Sequence, residues 1–283
     1  MKIFLFFLML LFVGCGSDST QNKDSNISKK NPPITDKKEQ QTPDKEVKPK
    51  EPYSKEIAKI PEASGICYSS LSETLFIAND EGSIYEIDKN GSILRAKKIG
   101  DYNLEGVSCD DEKDELLFTI EGKDNILIVS QSELSTQKEI NIDRDFDGIR
   151  VLKKDKKHGL EGIAITEEFI YLSNQSYESY PEEDASVVIK VSKNDDEKLD
   201  ILSIIDHGYL DISGLFYERG YLYMVSDSSD LLIKYDLKNE KTIFEKELPI
   251  FAQEGICIDD EGYFYIANDN GSVFKYNKEA LGL

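Results

Sequence analysis

Gln253-Glu-Gly-Ile-Cys257, Tyr263-Phe-Tyr-Ile-Ala-Asn-Asp269 and Ser272-Val-Phe-Lys-Tyr276 follow one another near the end of the chain. Asp260-Glu-Gly262 stands between the first two and Asp269-Asn-Gly271 between the last two. Short runs of β-branched and aromatic residues bounded by such turn signals read as hairpin-connected strands. The same grammar recurs upstream. Glu62-Ala-Ser-Gly-Ile-Cys67 precedes Leu75-Phe-Ile-Ala-Asn-Asp80, Leu104-Glu-Gly-Val-Ser108 precedes Leu116-Leu-Phe-Thr-Ile-Glu121, and Leu160-Glu-Gly-Ile-Ala164 precedes Phe169-Ile-Tyr-Leu-Ser-Asn174. A fourth pair is Asp211-Ile-Ser-Gly-Leu215 with Tyr221-Leu-Tyr-Met-Val-Ser-Asp227. The shared glycine falls at 65, 106, 162, 214 and 255, with intervals of 41, 56, 52 and 41 residues.

An internal repeat of this length, with three strands and then a fourth run, is the pattern of a propeller blade. The fourth runs are 93–99, 138–142, 199–205 and 243–248, and no stretch sustains a helical period. The fifth repeat ends without one. Residues 54–61, Ser-Lys-Glu-Ile-Ala-Lys-Ile-Pro, read like the missing outer strand and run straight into the first glycine motif. Paired beside Ser272–Tyr276, they close the ring and remove a raw sheet edge. The expectation is an all-β, five-bladed propeller of four-stranded antiparallel blades over residues 54–283, closed by an N-terminal strand in the last blade. A six-bladed ring needs a further repeat in the longer intervals, where none is visible.

The N-terminus points to export. Met1-Lys2 precedes an unbroken apolar run, residues 3–13, which is too short to span a bilayer and suits a signal-peptide core. The run ends in Phe12-Val-Gly-Cys15, which is similar to a bacterial lipobox, with Phe12 where Leu is usual. Residues 1–15 are therefore expected to be a lipoprotein signal ending at Cys15, the acylated residue that attaches the chain to a membrane. The sequence names neither the membrane nor its face. Residues 16–53, rich in Lys, Asp, Gln, Ser and Pro, have little to bury and are expected to form a disordered tether.

Composition narrows the partners. The chain carries a net charge of −21, and residues 61–283 hold 47 Asp and Glu against 23 Lys and Arg. So acidic a domain repels nucleic acid and anionic headgroups. A monomer is expected. Besides Cys15 there are Cys67, Cys109 and Cys257. Each sits in an apolar run, and buried free thiols are the expected state. No Gly-x-Ser-x-Gly elbow, phosphate loop or dinucleotide fingerprint occurs. His158 and His207 lack the spacing of a metal pair.

First strands line a propeller's channel. Glu105, Glu161 and Glu254 immediately precede their glycines, whereas Ser64 and Ser213 take that place in the other blades, with Glu62 and Asp211 two residues earlier. An offset of two keeps a side chain on one strand face. All five blades are thus expected to turn a carboxylate (Glu62, Glu105, Glu161, Asp211 and Glu254) toward one opening. Such a ring either holds a hard cation, calcium in the first instance, or is bonded structurally to neighbouring backbone amides. Asp143-Arg-Asp-Phe-Asp-Gly148 matches the opening of a calcium loop, but Lys154 stands where its bidentate Glu belongs. It reads as a solvated insertion. The Asn and Asp after the second strands, at 79–80, 174, 227 and 268–269, read first as turn formers.

The stretches Leu160-Glu-Gly-Ile-Ala, Asp211-Ile-Ser-Gly, Met224-Val-Ser-Asp and Gln253-Glu-Gly-Ile resemble the SdiA-regulated, YjiK-like family of bacterial envelope proteins. The likeness covers about residues 61–276 and extends distantly to esterase-like phytase propellers. It implies a five-bladed propeller with a calcium site and implies no activity. The expected function is a membrane-anchored, calcium-binding module for an unidentified envelope ligand or protein. The alternative is a calcium-dependent hydrolase acting on phosphoesters, acyl esters or lactones through the acidic mouth.

Overall fold

The computed structural model describes residues 53–153, 159–194, 198–250 and 252–283. The leader, the lipobox with Cys15, all of the tether but Tyr53, and His158 lie outside the described residues. Strand β1 (Ser54–Lys59) precedes the first blade, which comprises β2 (Ala63–Ser69), β3 (Thr74–Asn79), β4 (Ser83–Ile87) and β5 (Ile93–Lys98). The second blade is β6 (Leu104–Asp110), β7 (Glu115–Ile120), β8 (Asn125–Ser130) and β9 (Thr136–Ile142). A two-residue hairpin, β10 (Asp145–Phe146) and β11 (Ile149–Arg150), follows. The third blade is β12 (Leu160–Ile165), β13 (Phe169–Asn174) and β14 (Val187–Ser192), with β15 (Lys198–Leu199) leading into β16 (Ile201–Ile205). The fourth is β17 (Ile212–Glu218), β18 (Tyr221–Ser226), β19 (Leu231–Asp236) and β20 (Lys241–Glu247). The fifth is β21 (Gln253–Ile258), β22 (Phe264–Asn268) and β23 (Ser272–Tyr276), followed by the short helix α1 (Lys278–Leu281).

Ring closure is as the sequence predicts. β1 pairs antiparallel with β23, from Ser54 opposite Tyr276 to Lys59 opposite Ser272. Asn277 fastens the two ends: its side chain caps α1 at Ala280 N–H (3.0 Å) and also accepts from Tyr53 N–H (2.8 Å). β15 adds one detail. It leaves the third blade to pair in parallel with β9, so it covers the outer edge of the second blade.

The core is divided among the five blade interfaces instead of gathering at a centre. Five apolar clusters lie one between each pair of neighbours, such as Phe76 and Ile84 against Leu116 and Phe118 between the first and second blades. Each blade is sandwiched on both faces. This is why second strands such as Thr74-Leu-Phe-Ile-Ala-Asn79 are buried throughout and read as continuous apolar runs without alternation.

The repeated glycine now has a physical reason. A Cβ on Gly65 would lie 2.4 Å from the Glu105 carbonyl oxygen and 2.8 Å from Gly106 Cα. One on Gly106 would meet the Glu161 carbonyl oxygen at 2.4 Å, and one on Gly255 would meet Gly65 Cα at 2.9 Å. Inner strands of adjacent blades touch backbone to backbone, and any side chain there would hold the ring open.

That close approach overturns the expectation of three free thiols. Cys67, two residues past Gly65, and Cys109, three past Gly106, come to a Cα–Cα distance of 5.8 Å and form a disulfide. Cys257 stays free and buried. The bridge closes a 42-residue separation, for which loop entropy gives about 3–4 kcal/mol. Reducing the bridge is expected to lower unfolding stability by that amount in denaturant melts, whereas reductant should leave a Cys67→Ala, Cys109→Ala double variant unchanged.

Asp143–Gly148 takes the form read from the sequence, an insertion. Arg150 chelates Asp145, Arg144 pairs with the buried Asp124, and Lys198 holds Asp143. Among the described residues no helix is long and apolar enough to cross a membrane.

Candidate functional site: an acidic mouth on the propeller axis

At one end of the channel each blade repeats a backbone device. The N–H of the residue after the second strand donates to the carbonyl of the residue three places before the glycine. The five bonds are Asp80 to Glu62, Glu121 to Asn103, Gln175 to Gly159, Asp227 to Asp211 and Asp269 to Ala252, at 2.8–3.4 Å. Glu62, Asp211 and Ala252 adopt left-handed φ values of 47°, 57° and 59° there. Just beyond, the ladder between first and second strands slips register in every blade.

This turn decides where the five candidate acids go. Glu105, Glu161 and Glu254, directly before their glycines, lie close enough that Glu105 and Glu254 both raise the proton affinity of Glu161, and Glu105 that of Glu254. Ser64 and Ser213 take the two remaining inner positions. Ser64 donates to the Glu105 carboxylate, and Ser213 bonds the Gln253 carbonyl of the next blade. The left-handed residue and the slipped register break the two-residue alternation, so Glu62 and Asp211 are not equivalent to the inner three. Glu62 is exposed at the rim, beside Asp269 and Asp80. Asp211 is fully buried one level out. Its Oδ2 accepts from Ser228 N–H (2.9 Å) and Tyr177 O–H (3.4 Å), and its Oδ1 has no hydrogen-bond partner.

The residues following the second strands complete the mouth. Asp80, Glu121, Asp227 and Asp269 add a second tier of acids, with Gln175 in the third blade. Sequence reasoning ranks Asp80, Asp227 and Asp269 first as turn formers, and they are that too. The available signal was their recurrence: an acid immediately after the second strand in four of five repeats.

The electrostatic result is an accumulation of negative charge with little to offset it. Burial, reinforced by Glu121 and Asp80, pushes the Glu105 carboxyl up to about 8. Burial with Glu105 and Glu254 nearby holds Glu161 well above the usual carboxylate range. Burial with Glu105 and Asp227 does the same for Glu254. Asp80 and Asp227 are raised by burial and then by Asp269 and Asp211 respectively, while Glu62 is raised chiefly by Asp269. None of the ion pairs among the described residues engages Glu105, Glu161, Glu254, Asp80, Asp211, Asp227 or Asp269.

The donor set, all oxygen and mostly carboxylate, fits a hard cation such as calcium. The unpartnered Asp211 Oδ1 and Asp80 Oδ1 are two atoms such an ion would satisfy. The spacing is loose. Among the described residues, three acids with ligand atoms within 4.8 Å of one another occur at Asp259, Asp260 and Glu261, away from the mouth. That trio is already engaged: Asp259 accepts from Glu261 N–H, Tyr263 N–H and Tyr265 O–H, and Lys89 pairs with the other two. At the mouth the carboxylates would have to draw inward or ligate partly through water.

His207 stands apart from these acids. It is buried against Tyr209, its Nδ1 accepts from Tyr209 N–H (3.1 Å), and burial alone lowers it to about 4. In the unfolded chain it titrates near 6.5, so the folded state forgoes a proton between the two values. Its contribution is a stability loss of up to about 3 kcal/mol as pH falls from about 6.5 to about 4. His207→Asn is expected to remove this acid limb from a plot of unfolding free energy against pH.

A ring of five four-stranded antiparallel blades, with an acidic mouth on its axis, defines a five-bladed β-propeller. The chain belongs to the SdiA-regulated family, whose sequence profile matches residues 49–276. Among solved structures it is similar to Myxococcus xanthus glutaminyl cyclase, at 10% identity over 80% of this chain and 94% of that one, with a TM-score of 0.59. Kuenenia stuttgartiensis hydrazine synthase is matched at 13% identity over 74% of this chain and 56% of that one, with a TM-score of 0.45. At such identities the glutaminyl cyclase likeness speaks to the fold alone. Among curated proteins no relative matches significantly.

Proposed function

We propose that the domain is a cation-dependent binding module of the cell envelope, attached to a membrane through Cys15, whose acidic mouth takes a divalent cation, calcium by its chemistry. The observation that carries this reading is the inner set Glu105, Glu161 and Glu254. Three carboxylates are gathered on the axis with no cationic side chain paired to them, and the wholly buried Asp211 beside them keeps an unpartnered Oδ1. Buried like charges persist when something neutralises them, either protons or a cation. The residues that would hold the ion are those three with Asp211, and Asp227, Asp80 and Asp269 would supply the outer contacts. Calcium there would bridge blades and leave a charged, partly open face toward a ligand.

Calorimetric titration of the purified protein with calcium is the test. Saturable binding, lost in Glu161→Gln with Glu254→Gln, is the expected result; no heat in the unaltered protein sinks the reading. Anchoring is checked separately, because Cys15→Ser should move the protein from the membrane to the soluble fraction.

The calcium-dependent hydrolase reading draws on the same acids, which would hold a cation able to polarise an ester or to activate water. Turnover of a phosphomonoester, lactone or acyl ester, abolished by chelator and by Glu105→Gln, would favour it over a binding module.

A further inference from the structure

Between the second and third blades lies a cavity of about 190 Å³, apart from the mouth, near the opposite end of β6 from Glu105. Its walls are aliphatic: Leu117, Ile126, Ile128 and Ile140 from the second blade, Leu199 from β15 at that blade's edge, and Ile170 of the third blade facing them. Its polar end is charged. Lys113, Lys138 and Lys193 line it against Asp110 and Glu115, a local positive excess on a chain of net charge −21. Lys193 is nine-tenths buried and lies 2.7 Å from Asp110, itself buried. An ammonium has three donors, so Lys193 can serve Asp110 and a second anion together. Lys113 is exposed at the rim.

An aliphatic slot with a buried ammonium at its head matches one chemistry. We propose that this cavity binds a small amphiphilic carboxylate, its aliphatic chain among the isoleucines and leucines and its head group at Lys193 and Lys113. Size fixes the chain. A dry apolar cavity of about 150 Å³ accommodates benzene, six carbons, so about 190 Å³ takes a chain of about six to eight. The proposal is independent of the acidic mouth and shares no residue with it.

The test is a length series. The protein is titrated calorimetrically with butanoate, hexanoate, octanoate and dodecanoate, with chelator present so that no carboxylate is held by a metal at the mouth. Affinity is expected to rise about fourfold per methylene as far as octanoate and to fall at dodecanoate. 1-Octanol should bind more weakly than octanoate, and Lys113→Gln should weaken octanoate about threefold or more while leaving 1-octanol unchanged. Ile128→Phe and, from the facing wall, Ile170→Phe fill the slot, and each folded variant should lose octanoate. Absence of saturable binding for every alkanoate overturns the proposal. So does a series without an optimum, which marks adsorption, or undiminished octanoate binding in the two filled variants. Equal affinity for 1-octanol and octanoate overturns the assignment of the carboxylate head.

Discussion

Stripped of divalent cations, the domain is expected to lose stability as pH rises from about 4.5 to about 8, and millimolar calcium is expected to restore it. The sign follows from the mouth. Glu105 titrates near 4.5 when unfolded and near 8 when folded, so across that interval the native state holds a proton that the unfolded chain has released. A raised carboxylate stabilises the fold below its unfolded value, and that contribution fades as pH climbs through the folded one. Glu161 and Glu254 are raised in the same direction and for the same cause, so the effect is of several kcal/mol in total. A cation that binds the ionised ring reverses the slope by supplying from outside the charge that protons supplied before. Chemical melts at pH 5.5 and pH 8, with chelator and with calcium, give four numbers whose ordering decides the matter. If the chelated protein is more stable at pH 8, the inner acids are not gathered as the structure places them. His207 works against this trend below about 6.5, so His207→Asn is the cleaner background for the measurement.

The second large effect concerns the ring itself. Gly106→Ala is expected to destabilise by about 3 kcal/mol or more, and Gly106→Val to prevent folding. The Cβ would lie 2.4 Å from the Glu161 carbonyl oxygen, 2.8 Å from Ile163 N and 3.0 Å from Gly162 Cα, all backbone atoms of a strand pinned in its own blade. No flexible side chain can give way, so two blades must move apart, and overpacking on that scale is severe. Gly148→Asn is the control. That turn glycine has φ of 82°, which asparagine tolerates, and nothing lies within 4 Å of the added atom. Its thermal midpoint should be nearly unchanged. A comparable loss at both positions would mean that glycine's backbone freedom, and not strand contact, explains the repeat.

Much of this architecture was legible because the glycine and its flanking apolar runs recur in a fixed order. The outer strand supplied by residues 54–59 followed from counting runs per repeat, since only a completed fifth blade leaves the ring without an edge. The side chains of the mouth were legible in part. Glu105, Glu161 and Glu254 sit where strand alternation puts them. Glu62 and Asp211 do not, because left-handed φ at a residue other than glycine leaves no mark in an apolar pattern. The Cys67–Cys109 bridge was missed for a related reason. Cys67 and Cys257 hold equivalent places in neighbouring blades and do not pair, whereas Cys109 is offset by one residue from that place and does. The signal lay in the glycines together with the offset: a position that admits no side chain in five successive blades marks strands in contact, and cysteines two and three residues beyond adjacent glycines form the bridge, whereas Cys67 and Cys257, both two residues beyond theirs, do not.

The pairing of β1 with β23 also sets the order in which the molecule can be built. Tyr53 and Asn277, bonded to each other, are 224 residues apart in the chain. Every other blade is assembled from consecutive hairpins and can form as its own segment becomes free. The fifth cannot, because its outermost strand enters first and must wait for the rest. Contacts of such long range are formed slowly, against the full entropy of closing the loop. A chain delivered across a membrane N-terminus first would therefore carry β1 as an unmatched strand through most of its passage, and its emergence would be complete before its ring was.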